Sequence, residues 1–95
     1  MVYEDGSQVA LGDIVTLPVP GGTEKARVVM LGDTYKHLDI DPQFVSWVEA
    51  ERKLDAFSVV VEWLHHNRFA HSNPTYAPLG NYMFSPVDKW VTRVA

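Results

Sequence analysis

The stretch DGSQVALGDIVTLPVPGGTEKARVVMLGD constrains the fold of this 95-residue chain more than any other part of it. Two apolar-rich segments flank a Pro-Gly-Gly turn, and a Leu-Gly-Asp triplet stands at each end of the run, at 11–13 and at 31–33. Ile14 to Leu17 reads as a strand. Pro18, Pro20, Gly21 and Gly22 are expected to break it, because proline cannot donate to a ladder and glycine readily takes positive φ. Ala26 to Leu31 then reads as the antiparallel partner. Alternating positions of this second segment are apolar on both parities, which predicts a central strand covered on both faces.

The rest of the chain adds one helix, a short edge strand and three further strands. Asp5-Gly6 reads as a turn, and Val9 is expected to begin a short edge strand. Thr34 to Ile40 reads as a loop. Asp41-Pro42 is a helix start, an acidic N-cap followed by proline at the first helical position. Phe44, Trp47, Val48, Glu51 and Leu54 recur at helical spacing, which predicts a helix over 42–54 with Gln43, Glu49, Arg52 and Lys53 on its opposite face. Val59, Val60, Val61 and Trp63 place a strand over Phe57 to Leu64. The stretch 65–81 reads as a long loop that carries Phe69, Tyr76 and Leu79. A short strand over Tyr82 to Phe84, a turn at Ser85-Pro86-Val87-Asp88 and a last strand over Trp90 to Val94 complete the reading. Val60, Trp63 and Phe84 are expected in the core. The fold class is therefore a mostly β member of the α+β class, in a single domain spanning 1–95.

Composition narrows the function classes. The chain has no cysteine, which removes thiolate catalysis and cysteine-based metal sites. The eight Lys and Arg are dispersed against twelve Asp and Glu, for a net charge of −4. A phosphate backbone is bound by clustered cations, so nucleic acid is disfavoured and a basic protein partner is favoured. No apolar run approaches the roughly 20 residues of a membrane span, and no leader is expected at the N-terminus. A cytoplasmic protein is the reading.

Candidate chemical sites are weak one by one. His65, His66 and His71 are close in sequence, but neighbouring residues on a strand face opposite ways, and no zinc-binding spacing is present. No metal and no cofactor is expected. No serine sits in a Gly-x-Ser-x-Gly elbow, and His71-Ser72 is not a triad. Asp39 and Asp41, like Glu49 and Glu51, are two residues apart, a spacing that does not face one carboxyl to the other on a helix. The glycines at 21–22 lack the lysine and the following helix of a phosphate loop. No enzyme is expected. The aromatics of the loops are the more informative set, and Tyr35, Asp39, Tyr76 and Tyr82 are the expected partner-binding residues.

The segment VALGDIVTLPVPGGTEKARVVMLGD resembles the opening hairpin of SH3-like small barrels of the KOW and Tudor-like kind, and GNYMFSPVDKWVTRV resembles their closing strands. The resemblance implies a five-stranded antiparallel barrel with the helix at 42–54 inserted, and binding through loops and aromatics. The N-terminal pattern of Asp5-Gly6, Val9 and Gly12-Asp13 is similar to that of small bacterial immunity or accessory proteins encoded beside toxins. This second similarity implies a protein-binding module that captures a basic toxin or effector. The alternative is a KOW-like nucleic-acid or ribosome-associated accessory domain, with a small enzyme or metal-binding protein behind it.

Overall fold

The computed structural model describes residues 1–19, 21–65 and 82–94. Its elements run β1 (Ile14–Val19), β2 (Gly22–Leu31), α1 (Pro42–Glu51), β3 (Ser58–Trp63), β4 (Tyr82–Pro86) and β5 (Thr92–Arg93). The strands form one antiparallel sheet in the order β4-β3-β2-β1-β5. Among the described residues the chain is thus mostly β with one helix, as its sequence implies. The sheet is open rather than closed into a barrel: β4 and β5 are its two ends.

The β1–β2 hairpin is longer and tighter than proline placement suggests. Pairing continues from Ile14↔Arg27 through Pro18↔Thr23 to Val19↔Gly22, so Pro18 lies inside β1 instead of ending it. On its other side β1 is paired by β5 only at Val15 and Thr16. Beyond that point one side of the strand has no neighbour among the described residues, which is where a sheet tolerates a proline. The turn needs its glycines, with φ of 86° at Gly21 and 152° at Gly22.

β2 is the central strand, and Val28, Val29 and Met30 are all buried. Its register with β3 slips between Val28↔Val61 and Met30↔Val60, so Val29 is an extra residue. Such a bulge lets two successive side chains serve one face. Val28 packs with Val15, Leu17, Val61, Trp63 and Val91 on one side of the sheet, under a lid formed by Tyr3 and Val9. Val29 and Met30 pack with Val60, Phe44, Val48 and Leu54 on the other, the side covered by α1.

Other boundaries shift for local reasons. The helix stops at Glu51, short of the expected 54. Arg52 takes the left-handed conformation (φ 49°, ψ 52°), and the N–H groups of Arg52 and Lys53 close back on the carbonyls of Glu49 and Val48. This is the Schellman reversal with arginine in the place usually held by glycine. Leu54 still reaches the core, from beyond the helix. Phe57 lies outside β3 and is 73% exposed, because the Asp55 carboxylate holds the Phe57 N–H and the Ser58 hydroxyl in a turn. β4 runs on through Ser85 and Pro86, and the turn comes later. There Asp88 accepts from the N–H groups of Trp90 and Val91, which leaves only Thr92–Arg93 for β5 and Trp90 largely exposed. The expected edge strand at Val9 is reduced to a single bridge, Val2↔Gln8. Val60 and Trp63 are buried as expected, whereas Phe84 is only half-buried. The loop reading over 65–81 falls, from 66 onward, outside the described residues.

Candidate functional site

The features that merit a functional reading gather around α1. Asp41 caps the helix: its carboxylate accepts from the N–H of Gln43 at 2.9 Å and of Phe44 at 3.4 Å. Asp41 itself donates its N–H to the Tyr82 hydroxyl at 3.2 Å, which ties the start of α1 to the edge strand β4. The Tyr82 ring stacks on Phe44 at 4.3 Å. Phe84 lies 6.0 Å from Phe44 and 6.0 Å from Trp47. Phe44 is sealed, while Trp47, Tyr82 and Phe84 are half-buried, so the seam between α1 and β4 presents ring edges and faces at the surface.

A second latch holds the other end of the helix. The Tyr35 hydroxyl donates to the Leu54 carbonyl at 2.7 Å and accepts from the Leu54 N–H at 3.1 Å. Two exposed cations lie on the neighbouring rings. The Arg52 guanidinium carbon is 4.9 Å from the centre of the Tyr35 ring, and the Lys53 ammonium is 5.1 Å from that of Trp47.

The structure therefore brings Tyr35, Asp39 and Tyr82 to the border of α1, with the tyrosines at opposite ends. Tyr76 lies outside the described residues. Both tyrosine hydroxyls are engaged with backbone, so rings are what they offer a partner. Asp39 is exposed, two residues ahead of the helix cap, and its carboxylate has no hydrogen bond or ion pair among the described residues. Trp47, Arg52 and Lys53 belong to the same surface, and the sequence does not point to them as part of it. Trp47 reads from sequence as one more member of the apolar stripe, and only the packing of α1 on β4 shows it at the stripe's edge.

A cleft of about 270 Å³ opens elsewhere, between Tyr3, Glu4 and Asp5 on one wall and Lys89, Val91, Thr92 and Arg93 on the other. Tyr3, Asp5 and Arg93 of this cleft are engaged within the fold. The Tyr3 hydroxyl donates to Asp13 at 2.7 Å, the Ala10 N–H donates to the same carboxylate oxygen at 2.9 Å, and Arg93 approaches the other oxygen at 3.8 Å. Burial, reinforced by the hydrogen bond to Asp13 and its charge, pushes the Tyr3 phenol well above the ordinary tyrosine value. The Ser7 hydroxyl and N–H both donate to Asp5 and hold its carboxyl below the ordinary aspartate value. Phe57 N–H and the Ser58 hydroxyl do the same for Asp55. Both of these shifts run opposite to the one a general acid needs.

Among the described residues no group of three or more His, Cys, Asp and Glu could hold a metal ion. His65 is exposed, and His66 and His71 lie outside the described residues. No helix among them is long and apolar enough to cross a membrane. Comparison with family models, with curated proteins and with solved structures returns no match to this chain.

Proposed function

We propose that this chain is a non-enzymatic binding module that captures a basic segment of a partner protein on the aromatic border of α1. The observation that carries the reading is the exposed carboxylate of Asp39, unpartnered among the described residues, beside a helix whose flanks present the half-buried rings of Tyr35, Trp47, Tyr82 and Phe84. Aromatic rings supply large contact area at low entropic cost, and a rim carboxylate steers an oppositely charged partner. The net charge of −4 favours a basic protein surface over a phosphate backbone.

The strand order supports a kinship with SH3-like barrels. β5 returns to pair with β1 after a short turn, and α1 stands between β2 and β3 as an insertion. Barrels of that kind bind through loops and aromatics beside the sheet. In its sharpest form the reading is an immunity or accessory protein of a bacterial cytoplasm, with a basic toxin or effector as the captured protein.

The test compares wild type with Asp39→Lys. Each is immobilised, the protein retained by wild type is identified by mass spectrometry, and its association is followed by surface plasmon resonance at low and high salt. Capture should depend on salt, and Asp39→Lys should slow association several-fold with melting unchanged. Equal association by both proteins would move the interface away from α1. Tighter binding of duplex DNA or RNA than of any protein would end the protein-capture reading.

A further inference from the structure

Among the described residues only Tyr35 (φ 59°) and Arg52 (φ 49°) are non-glycine residues in the left-handed region, and they are in contact with each other. The reversal at Arg52 splays two consecutive cations onto two different rings, Arg52 onto Tyr35 and Lys53 onto Trp47. Glu49, Glu51 and Asp55 are exposed and close in sequence, yet among the described residues neither cation forms an ion pair. The rings are the fixed side of each contact. Tyr35 is held by both polar groups of the Leu54 backbone, and Trp47 by Phe44 and Phe84. The cations are the loose side, on long exposed side chains.

We infer that Arg52 and Lys53 are intramolecular place-holders, and that the platform formed by Tyr35 and Trp47 takes an adjacent pair of basic residues from a partner polypeptide. This rests on the proposed capture of a basic protein and names the element captured. A ring face attracts any cation placed over it, so the arrangement that holds an Arg-Lys pair of this chain suits the same pair from another. The internal pair must leave first. An exposed cation–π contact holds its cation by about two- to fivefold in population, and the apparent affinity for a competing cation falls by that factor. Removing the internal pair should therefore tighten capture.

The probe is a capped peptide with one Arg-Lys pair between Gly-Ser flanks, titrated into the full chain at low salt and followed by heteronuclear NMR. Arg52→Gln/Lys53→Gln is compared with Lys25→Gln/Lys36→Gln, since each pair removes two positive charges and takes the net charge from −4 to −6. The first variant should bind the peptide about five- to thirtyfold more tightly than wild type. The second should gain only the general electrostatic part. If Arg52→Gln/Lys53→Gln melts early, Lys53→Gln alone reads the Trp47 ring, because the Lys53 backbone bond to Val48 is kept. Peptide binding that improves equally in both double variants overturns the place-holder inference and leaves the capture reading standing. No shift of any resonance in wild type or either variant overturns both.

Discussion

Replacing Tyr35 by phenylalanine removes one oxygen atom and leaves the ring in place. That oxygen serves two backbone groups of Leu54, as donor to the carbonyl at 2.7 Å and acceptor from the N–H at 3.1 Å. Leu54 is 6% exposed, so water replaces the lost partner poorly. A neutral hydrogen bond contributes about 0.5–1.5 kcal/mol net, and a buried group left without a partner costs about 1–3 kcal/mol. With Tyr35 itself only half-buried, the sum for the two groups is about 2–3 kcal/mol. A domain of this size has ~5–15 kcal/mol in all. At about 4–8 °C per kcal/mol, melting should fall by roughly 10–20 °C. Tyr82→Phe is the matched control. It also keeps its ring, loses a single bond at 3.2 Å to the exposed Asp41 N–H, and should cost about 0.5 kcal/mol. Thermal melts by circular dichroism, with urea unfolding as a check, compare the two. If Tyr35→Phe is no more harmful than Tyr82→Phe, the double bond to Leu54 does not secure the end of α1.

Three further outcomes are expected. Gly32→Ala should prevent folding or cost well over ~3 kcal/mol, because its Cβ would collide with the Asp55 carbonyl oxygen and lie 2.6 Å from that of Ser58. Gly12→Ala meets open space and only the strain of φ +90°, about 1–3 kcal/mol, so urea midpoints should separate the two variants. Asp41→Ala should lower stability by about 1 kcal/mol through the lost cap, read from the same unfolding curves. Tyr3→Phe should be less stable than wild type by about 1.5–3 kcal/mol at neutral pH, having lost a bond to a carboxylate. The Tyr3 phenol titrates higher in the fold than in the unfolded chain, so its contribution is complete below the unfolded value near 10 and is lost as pH rises beyond it. The gap between wild type and Tyr3→Phe should accordingly narrow in alkaline unfolding experiments, and a gap constant with pH would contradict the buried-phenol assignment.

Signals that act within a few residues were legible in the chain. Asp41-Pro42 starts α1 because an aspartate accepts from the first free N–H groups and proline costs none of them. The alternation from Ile14 and the apolar run at 28–31 identify a hairpin whose second strand is buried on both faces.

Contacts between distant segments were not legible. The helix reads as continuing to 54, because Arg52 has no intrinsic preference for the left-handed conformation; the reversal there coincides with the contact to Tyr35, which lies before the helix in the chain. Trp47 is half-buried against Phe84 of β4, and Arg52 and Lys53 join the site because the rings of Tyr35 and Trp47 lie where the chain turns. The two Leu-Gly-Asp triplets make the distinction plain. Each announces a turn, and each needs its glycine, but Gly12 needs it for a positive φ and Gly32 for the backbone of Asp55 and Ser58 pressed against it. The first requirement is a property of three residues. The second exists only once β2 has met the turn that leads into β3, and close packing between separate segments is a condition no local pattern encodes.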